Sequence, residues 1–162
     1  MEADMNELTG IAAQIAAKLI ARKETIAVAE SSTGGLISAA LLSVPGASAY
    51  FLGGAVVYTR DARRILMEIG DAEMKGLRSA SEPYAQLLAS RMRTRFATTW
   101  GLSETGATGP TGNRYGDAAG HCCMAIAGPV GKVITLETAS SDRQANMQVF
   151  GKTALNLLLQ NL

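Results

Sequence analysis

The stretch that most constrains the fold runs from Thr25 to Leu42. Thr25-Ile26-Ala27-Val28-Ala29 is apolar and β-branched without alternation, a pattern that predicts a strand covered on both faces. It passes straight into the polar turn Glu30-Ser31-Ser32-Thr33-Gly34-Gly35, and Leu36 to Leu42 then reads as a helix. A covered strand that feeds a polar turn and a helix is a building unit of layered α/β folds.

The rest of the chain extends that pattern. From Asn6 to Arg22 the residues Leu8, Ile11, Ile15, Leu19 and Ile20 recur mostly at spacings of three and four, which predicts an amphipathic helix. A turn at Val44–Ser48 precedes a strand from Gly54 to Tyr58 and a helix from about Asp61 to Glu68. Ser81 is the expected N-cap of a helix with Pro83 in its first turn, running to about Thr98. Its Arg91, Arg93 and Arg95 do not share a face, so they read as solvated surface rather than a nucleic-acid stripe. A strand near Leu102–Thr105 leads into a glycine-rich loop, Gly106 to Gly120. Strands His121–Ala127 and Lys132–Thr138, joined by Gly128-Pro129-Val130-Gly131, form a hairpin, and a helix from about Asp142 to Leu159, capped by Ser140 or Ser141, closes the chain. The expected fold is one layered α/β domain spanning residues 1–162, its sheet mixed but mostly parallel, flanked by helices and ending in the hairpin.

At 162 residues the chain is long enough to bury roughly 70% of its unfolded surface in one core. A net charge of +1 supplies no general field for nucleic acid or anionic membrane. The amino terminus carries acidic residues where a signal peptide is basic, and no apolar run reaches membrane-spanning length, which together predict a cytoplasmic protein. Cys122 and Cys123 are adjacent in an extended segment, so their thiols point to opposite faces and do not pair. One histidine and two adjacent cysteines lack zinc-ligand spacing.

Two segments suit ligand chemistry. Glu30–Gly35 links a strand to a helix, with Ser31 and Ser32 at the junction and a glycine pair that lets a ligand approach the backbone; its hydroxyls equally suit plain helix capping. Thr105-Gly106-Ala107-Thr108-Gly109-Pro110-Thr111-Gly112 follows a strand and is rich in glycine and hydroxyls, as either a phosphate cradle or a structural loop. Neither has dinucleotide or Walker spacing.

Taken together, these stretches resemble the C-terminal domain of the CinA family, over most of the chain. The family's A-E-S-C-T-G-G is similar to Ala29–Gly35, with Ser32 for cysteine. Its P-G-S-S and F-x-G-G match Pro45-Gly46-Ala47-Ser48 and Phe51-Leu52-Gly53-Gly54, and its Y-S-N-x-A-K is similar to Tyr58-Thr59-Arg60-Asp61-Ala62-Arg63. Thr105–Gly112 resembles T-G-I-A-G-P-G-G, and Asp142-Arg143 the family's G-D-R.

The resemblance implies a metal- and cofactor-free deamidase that converts nicotinamide mononucleotide to nicotinic acid mononucleotide and ammonia, and a homodimer or higher oligomer. Exposed apolar residues such as Leu157 to Leu159 are candidates for that interface. The resemblance makes Ser31 the nucleophile and Arg63 the counterpart of its lysine partner. Substrate contacts are then expected from Glu30, Ser32, Thr33, Gly34, Gly35, Ser48, Tyr58, Thr105, Gly106, Gly109, Gly112 and Arg143. In this scheme the helix after Ser31 stabilises the oxyanion, the glycine loop and Arg143 hold phosphate, and Tyr58 stacks on the pyridinium ring.

The sequence departs from that pattern at two positions. Arg63 stands where the family has lysine, and arginine does not give up its proton to serve as a base. Met147 stands where the family commonly has a second arginine. The segment Asn113–His121 offers Arg114, Asp117 and His121 as compensating groups, with His121 a candidate substitute base or simply the first residue of a strand. The alternative function is a nucleotide or phosphometabolite binder of the same fold that has lost its base.

Overall fold

The computed structural model describes residues 2–162. Its elements are α1 (Glu2–Arg22), β1 (Ile26–Glu30), α2 (Leu36–Leu42), β2 (Phe51–Val56), α3 (Arg60–Met67), α4 (Glu82–Phe96), β3 (Trp100–Ala107), β4 (His121–Ala127), β5 (Lys132–Glu137) and α5 (Arg143–Leu159). They form a single α/β layered unit around a five-stranded sheet of order β2-β1-β3-β4-β5. Strands β2, β1 and β3 run parallel, whereas β3-β4 and β4-β5 pair antiparallel, the latter as the expected hairpin. The sheet is therefore mixed, with parallel and antiparallel pairings equal in number.

Helices cover both faces. On one, Leu8, Ile15 and Leu19 of α1 pack with Ile37 and Leu41 of α2 and Phe150, Leu155 and Leu158 of α5 over Ile26, Val28, Leu102, Cys122 and Met124. On the other, Tyr84, Leu88 and Met92 of α4 and Met67 of α3 cover Ala27 and Ala29, and Ala85 and Ala89 cover Cys123 and Ala125. The two cysteines thus lie on opposite faces, both buried and free. Burial of these aliphatic and aromatic side chains is the main force closing the layers. Leu157 and Leu158 belong to that core, so they are not the exposed interface residues the sequence suggested. Ile20, on the apolar spacing of α1, is 45% exposed.

Helix starts follow local chemistry. Ser81 Oγ accepts from Tyr84 N–H at 3.4 Å with Pro83 in the first turn of α4, and Thr59 Oγ1 accepts from Ala62 N–H at 3.0 Å at the start of α3. The cap of α5 is Asp142, whose carboxylate accepts from Ala145 N–H at 3.1 Å, rather than Ser140 or Ser141. Ser140 Oγ instead accepts from Asp142 N–H.

Two strands begin earlier than expected, because glycine within a strand masked them. β2 includes Gly53 and Gly54, where an added Cβ would lie 2.5 Å from the Phe96 ring and 2.5 Å from Ser38 Oγ. β3 includes Gly101, where a Cβ would meet the Ala89 carbonyl oxygen at 2.0 Å. These glycines let helices approach the sheet closely rather than ending strands. β3 also runs on through Ala107, so the glycine-rich loop proper covers residues 108–120. Among the described residues no helix is long and apolar enough to cross a membrane.

After β1 the chain passes through α2 to β2 on one side, and after β3 it passes to β4 on the other. The carboxyl ends of β1 and β3 therefore open a crevice, the usual ligand position in an open α/β sheet.

Candidate active site

The turn between β1 and α2 is built around two buried carboxylates. Glu30 is fully buried, and its carboxylate accepts from the N–H groups of Gly35 (3.1 Å), Ile37 (3.0 Å) and Ser38 (2.8 Å) and from the Thr33 hydroxyl (2.7 Å). Glu104, fully buried on β3, accepts from the N–H groups of Ser31 (2.9 Å), Ser32 (3.2 Å) and Thr33 (2.9 Å) and from the Ser32 hydroxyl; Thr33 Oγ1 also lies 2.6 Å from it, so the one Thr33 hydroxyl proton is shared between the two carboxylates. Gly34 N–H donates to the Ser31 carbonyl and Leu36 N–H to the Thr33 carbonyl. Gly34 and Gly35 both adopt positive φ, which the tight path between strand and helix requires.

This arrangement corrects several expectations. Glu30, Ser32 and Thr33 are engaged with the protein's own backbone and side chains, so they are framework rather than ligand contacts. The amides at the start of α2 are likewise spent internally, and the helix N-terminus is no oxyanion hole. Ser31 is different. Its hydroxyl has no hydrogen-bond partner among the described residues and faces a cavity of about 180 Å³.

Arg63 of α3 lines the same cavity, with Tyr58, Ser79, Tyr84, Asn113 and Tyr115. Its guanidinium donates to Ser79 Oγ at 3.2 Å and lies 5.5 Å from the Tyr84 ring centroid. Burial pushes the Tyr84 phenol up against the opposing pull of Arg63. Tyr115 is flanked by Arg78 and Arg114 at 5.3 and 5.1 Å, and the hydrogen bond from Arg114 holds its phenol below the ordinary value. Three of the chain's four tyrosines thus rim one cleft, each beside an arginine.

A second cavity of about 290 Å³ adjoins the first and shares Tyr58, Gly106 and Asn113 with it. It is lined by Gly109 and Gly112 of the loop and by Arg143 at the start of α5. Arg143 donates to the Gly109 carbonyl and, at 3.1 Å, to Tyr58 Oη, drawing the loop, α5 and the segment after β2 together. The buried Asn146 side chain donates to the carbonyls of Thr108 (2.9 Å) and Ser140 (2.8 Å), which pins the base of the loop. Thr105 borders the first cavity, but its hydroxyl accepts from Ala80 N–H at 3.0 Å.

The proposed compensating groups are also accounted for. His121 is 7% exposed, with Nε2 on the Ala80 carbonyl at 2.7 Å and Nδ1 on Glu137. Both partners are acceptors, so the ring donates from both nitrogens as an imidazolium. Burial alone would lower its pKa, but the bonds to Glu137 and Ala80 and the nearby Asp117 charge outweigh it and raise the value. His121 lines neither cavity and is not a base for Ser31. Asp117 is held by Arg78 at 2.6 Å and Asn113 at 2.8 Å; these bonds overcome the effect of burial and lower its pKa. Among the described residues no lysine lines either cavity.

Gly34 and Gly35, like Glu30, Ser32 and Thr33, line neither cavity, and Ser48 lies farther away. It precedes β2, whose first residue pairs with Ile26 at the start of β1, so it lies at the opposite end of the sheet from Ser31. Met147 packs at the turn, its Cε 3.5 Å from a Cβ built on Gly34. Sequence reasoning missed Glu104, although a carboxylate in the middle of an expected strand was a readable signal. It also missed Ser79, Tyr84 and Asn113, for which local sequence carried none.

Comparison with known proteins agrees with this architecture. The family model described as CinA C-terminal domain matches residues 8–162. A CinA-like protein of Gloeobacter violaceus is 36% identical over 155 residues, covering 94% of this chain and 36% of that protein. One from Thermosynechococcus vestitus is 33% identical over 156 residues, 96% of this chain and 37% of the relative. The chain thus spans little more than a third of these curated relatives. Among solved structures, a competence-damaged protein (CinA) superfamily protein of Escherichia coli superposes with a TM-score of 0.89 at 23% identity, covering 96% of this chain and 90% of that one. The competence/damage inducible protein CihA of Agrobacterium tumefaciens gives 0.86 at 26% identity, with 95% and 94% covered. With the motifs, the sheet order and the match over residues 8–162 in agreement, the chain belongs to the CinA C-terminal domain family.

Proposed function

We propose that the cleft between β1 and β3 binds a phosphate-bearing pyridine mononucleotide and holds it without efficient turnover. The observation that carries this reading is Arg63, a permanent cation in the cavity that Ser31 faces. It can fix an anion but cannot take the Ser31 proton, and neither His121 nor a lysine replaces it there. The tyrosine rim suits a planar cationic ring, and the glycine loop with Arg143 suits a phosphate.

A second reading, deamidation of nicotinamide mononucleotide with Ser31 as nucleophile, is favoured by one observation: the Ser31 hydroxyl is unpartnered and faces the cavity. Activation there must come from water or from the ligand, because a serine hydroxyl is a poor nucleophile without a base. Ammonia release and calorimetric binding, measured with the parent, Ser31→Ala and Arg63→Lys, separate the two. Binding without ammonia release supports the binder, and release that vanishes in Ser31→Ala supports the amidase. Gain of release in Arg63→Lys places the loss of turnover at that position. We also propose self-association, as the family resemblance implies; sedimentation showing only monomer overturns it.

A further inference from the structure

We infer that the cleft selects a ligand with a carboxylate at one end and a phosphate at the other, the acid form of the nucleotide over its carboxamide. The inference rests on the mononucleotide reading and specifies its ligand.

The first cavity presents donors. Arg63 is braced by Ser79 and oriented over Tyr84, and the Ser31 hydroxyl is free to point at the same space. A guanidinium held in this way matches the two oxygens of a carboxylate. The acceptors offered to a carboxamide N–H₂ are neutral hydroxyl and backbone oxygens, with no free carboxylate among them in the described residues. Among the described residues no aspartate or glutamate lines either cavity. The nearby carboxylates of Glu30, Glu104 and Asp117 are engaged with internal donors. Asn113 Oδ1, the only side-chain amide oxygen at the cleft among the described residues, already accepts from the N–H groups of Tyr115 (3.0 Å) and Asp117 (3.1 Å). A carboxylate gains charge-assisted bonds from the Arg63 guanidinium, whereas an amide N–H₂ is turned away by that cation and gains only neutral oxygens as partners. Arg60 also lines the first cavity but is paired with Asp71, and Arg143 supplies a cation one cavity away, for the phosphate end.

The test is titration calorimetry of the intact chain at neutral pH in phosphate-free buffer, with nicotinic acid mononucleotide, nicotinamide mononucleotide and ribose 5-phosphate. The acid is expected to bind about tenfold more tightly than the amide, the scale of exchanging neutral hydrogen bonds for charge-assisted ones. Arg63→Lys is expected to keep most of that preference and Arg63→Gln to bring the ratio close to one. Equal or tighter binding of the amide, or a ratio unaffected by Arg63→Gln, overturns the inference while leaving the mononucleotide reading in place. Failure of both nucleotides to bind overturns both.

Discussion

The backbone N–H of Ser31 donates to Glu104 Oε1 at 2.9 Å, joining positions 73 residues apart. Through this contact the exposed hydroxyl is positioned by the neighbouring strand β3 as well as by its own strand, and its location depends on the sheet being assembled. Because Glu104 also holds Ser32 and Thr33, one side chain sets the path of the whole turn.

Glu104→Gln tests that dependence. The amide replaces an acceptor oxygen with an N–H₂ that faces backbone donors. Loss of a buried, charge-assisted set of bonds costs about 3–5 kcal/mol. A fall of that size in unfolding free energy by urea titration is expected, with weaker mononucleotide binding in the folded fraction; an unchanged midpoint refutes the framework role.

The His121 cluster makes stability depend on pH in a defined direction. The folded imidazole binds its proton more tightly than the ordinary value of 6.5, so its contribution is complete below that pH and is lost as pH rises through the raised folded value. Asp117 acts oppositely: its lowered folded pKa gives a contribution present above the ordinary 3.8 and lost as pH falls through the folded value. Wild type minus His121→Gln, measured as unfolding free energy, is expected to be largest below pH 6.5 and to shrink on alkalinisation. A difference that grows with pH contradicts the imidazolium assignment.

Gly112 lies where a Cβ would sit 2.0 Å from the Asp117 carbonyl oxygen, so Gly112→Ala must displace the loop. Overpacking of this kind typically costs 1–3 kcal/mol, and here the strain falls on one wall of the second cavity. Binding of ribose 5-phosphate is expected to weaken more than the melting temperature falls, and a variant that melts early yet binds normally argues against a role for the loop in ligand capture.

Arg143→Ala removes the cation of the second cavity and the bonds to Gly109 and Tyr58. Hydrogen bonds to a charged group are worth roughly 1.5–3 kcal/mol. Affinity for phosphate-bearing ligands is expected to drop at least about tenfold by calorimetry, with the preference for acid over amide retained.

The element order was legible because strands such as 26–30 and 121–127 are apolar runs bounded by turn residues, and because α4 carries a clear start signal at Ser81. Where boundaries shifted, tertiary packing was responsible: Gly53, Gly54 and Gly101 look like interruptions locally but are required where helices press on the sheet. For the site, motif resemblance brought Ser31, Tyr58, Arg63, Gly109 and Arg143 to one cleft. It could not reveal that Glu30 turns inward, that β2 carries Ser48 away, or that Glu104 spans 71 to 73 residues to hold the turn. Those facts depend on strand pairing, which no local pattern encodes.

The two carboxylates beneath the turn consume the backbone donors of α2, so positive charge in the crevice comes from arginines on separate layers. Arg63 belongs to a helix packed with α4 on one face of the sheet, and Arg143 to a helix packed with α1 on the other. A ligand gripped at both ends is therefore a tie across the sheet edge, added to the bonds that Arg143 already makes to Tyr58 and Gly109. Its occupancy raises the free energy of unfolding with the logarithm of its concentration, and the gain is shared between layers only if the molecule is long enough to reach both.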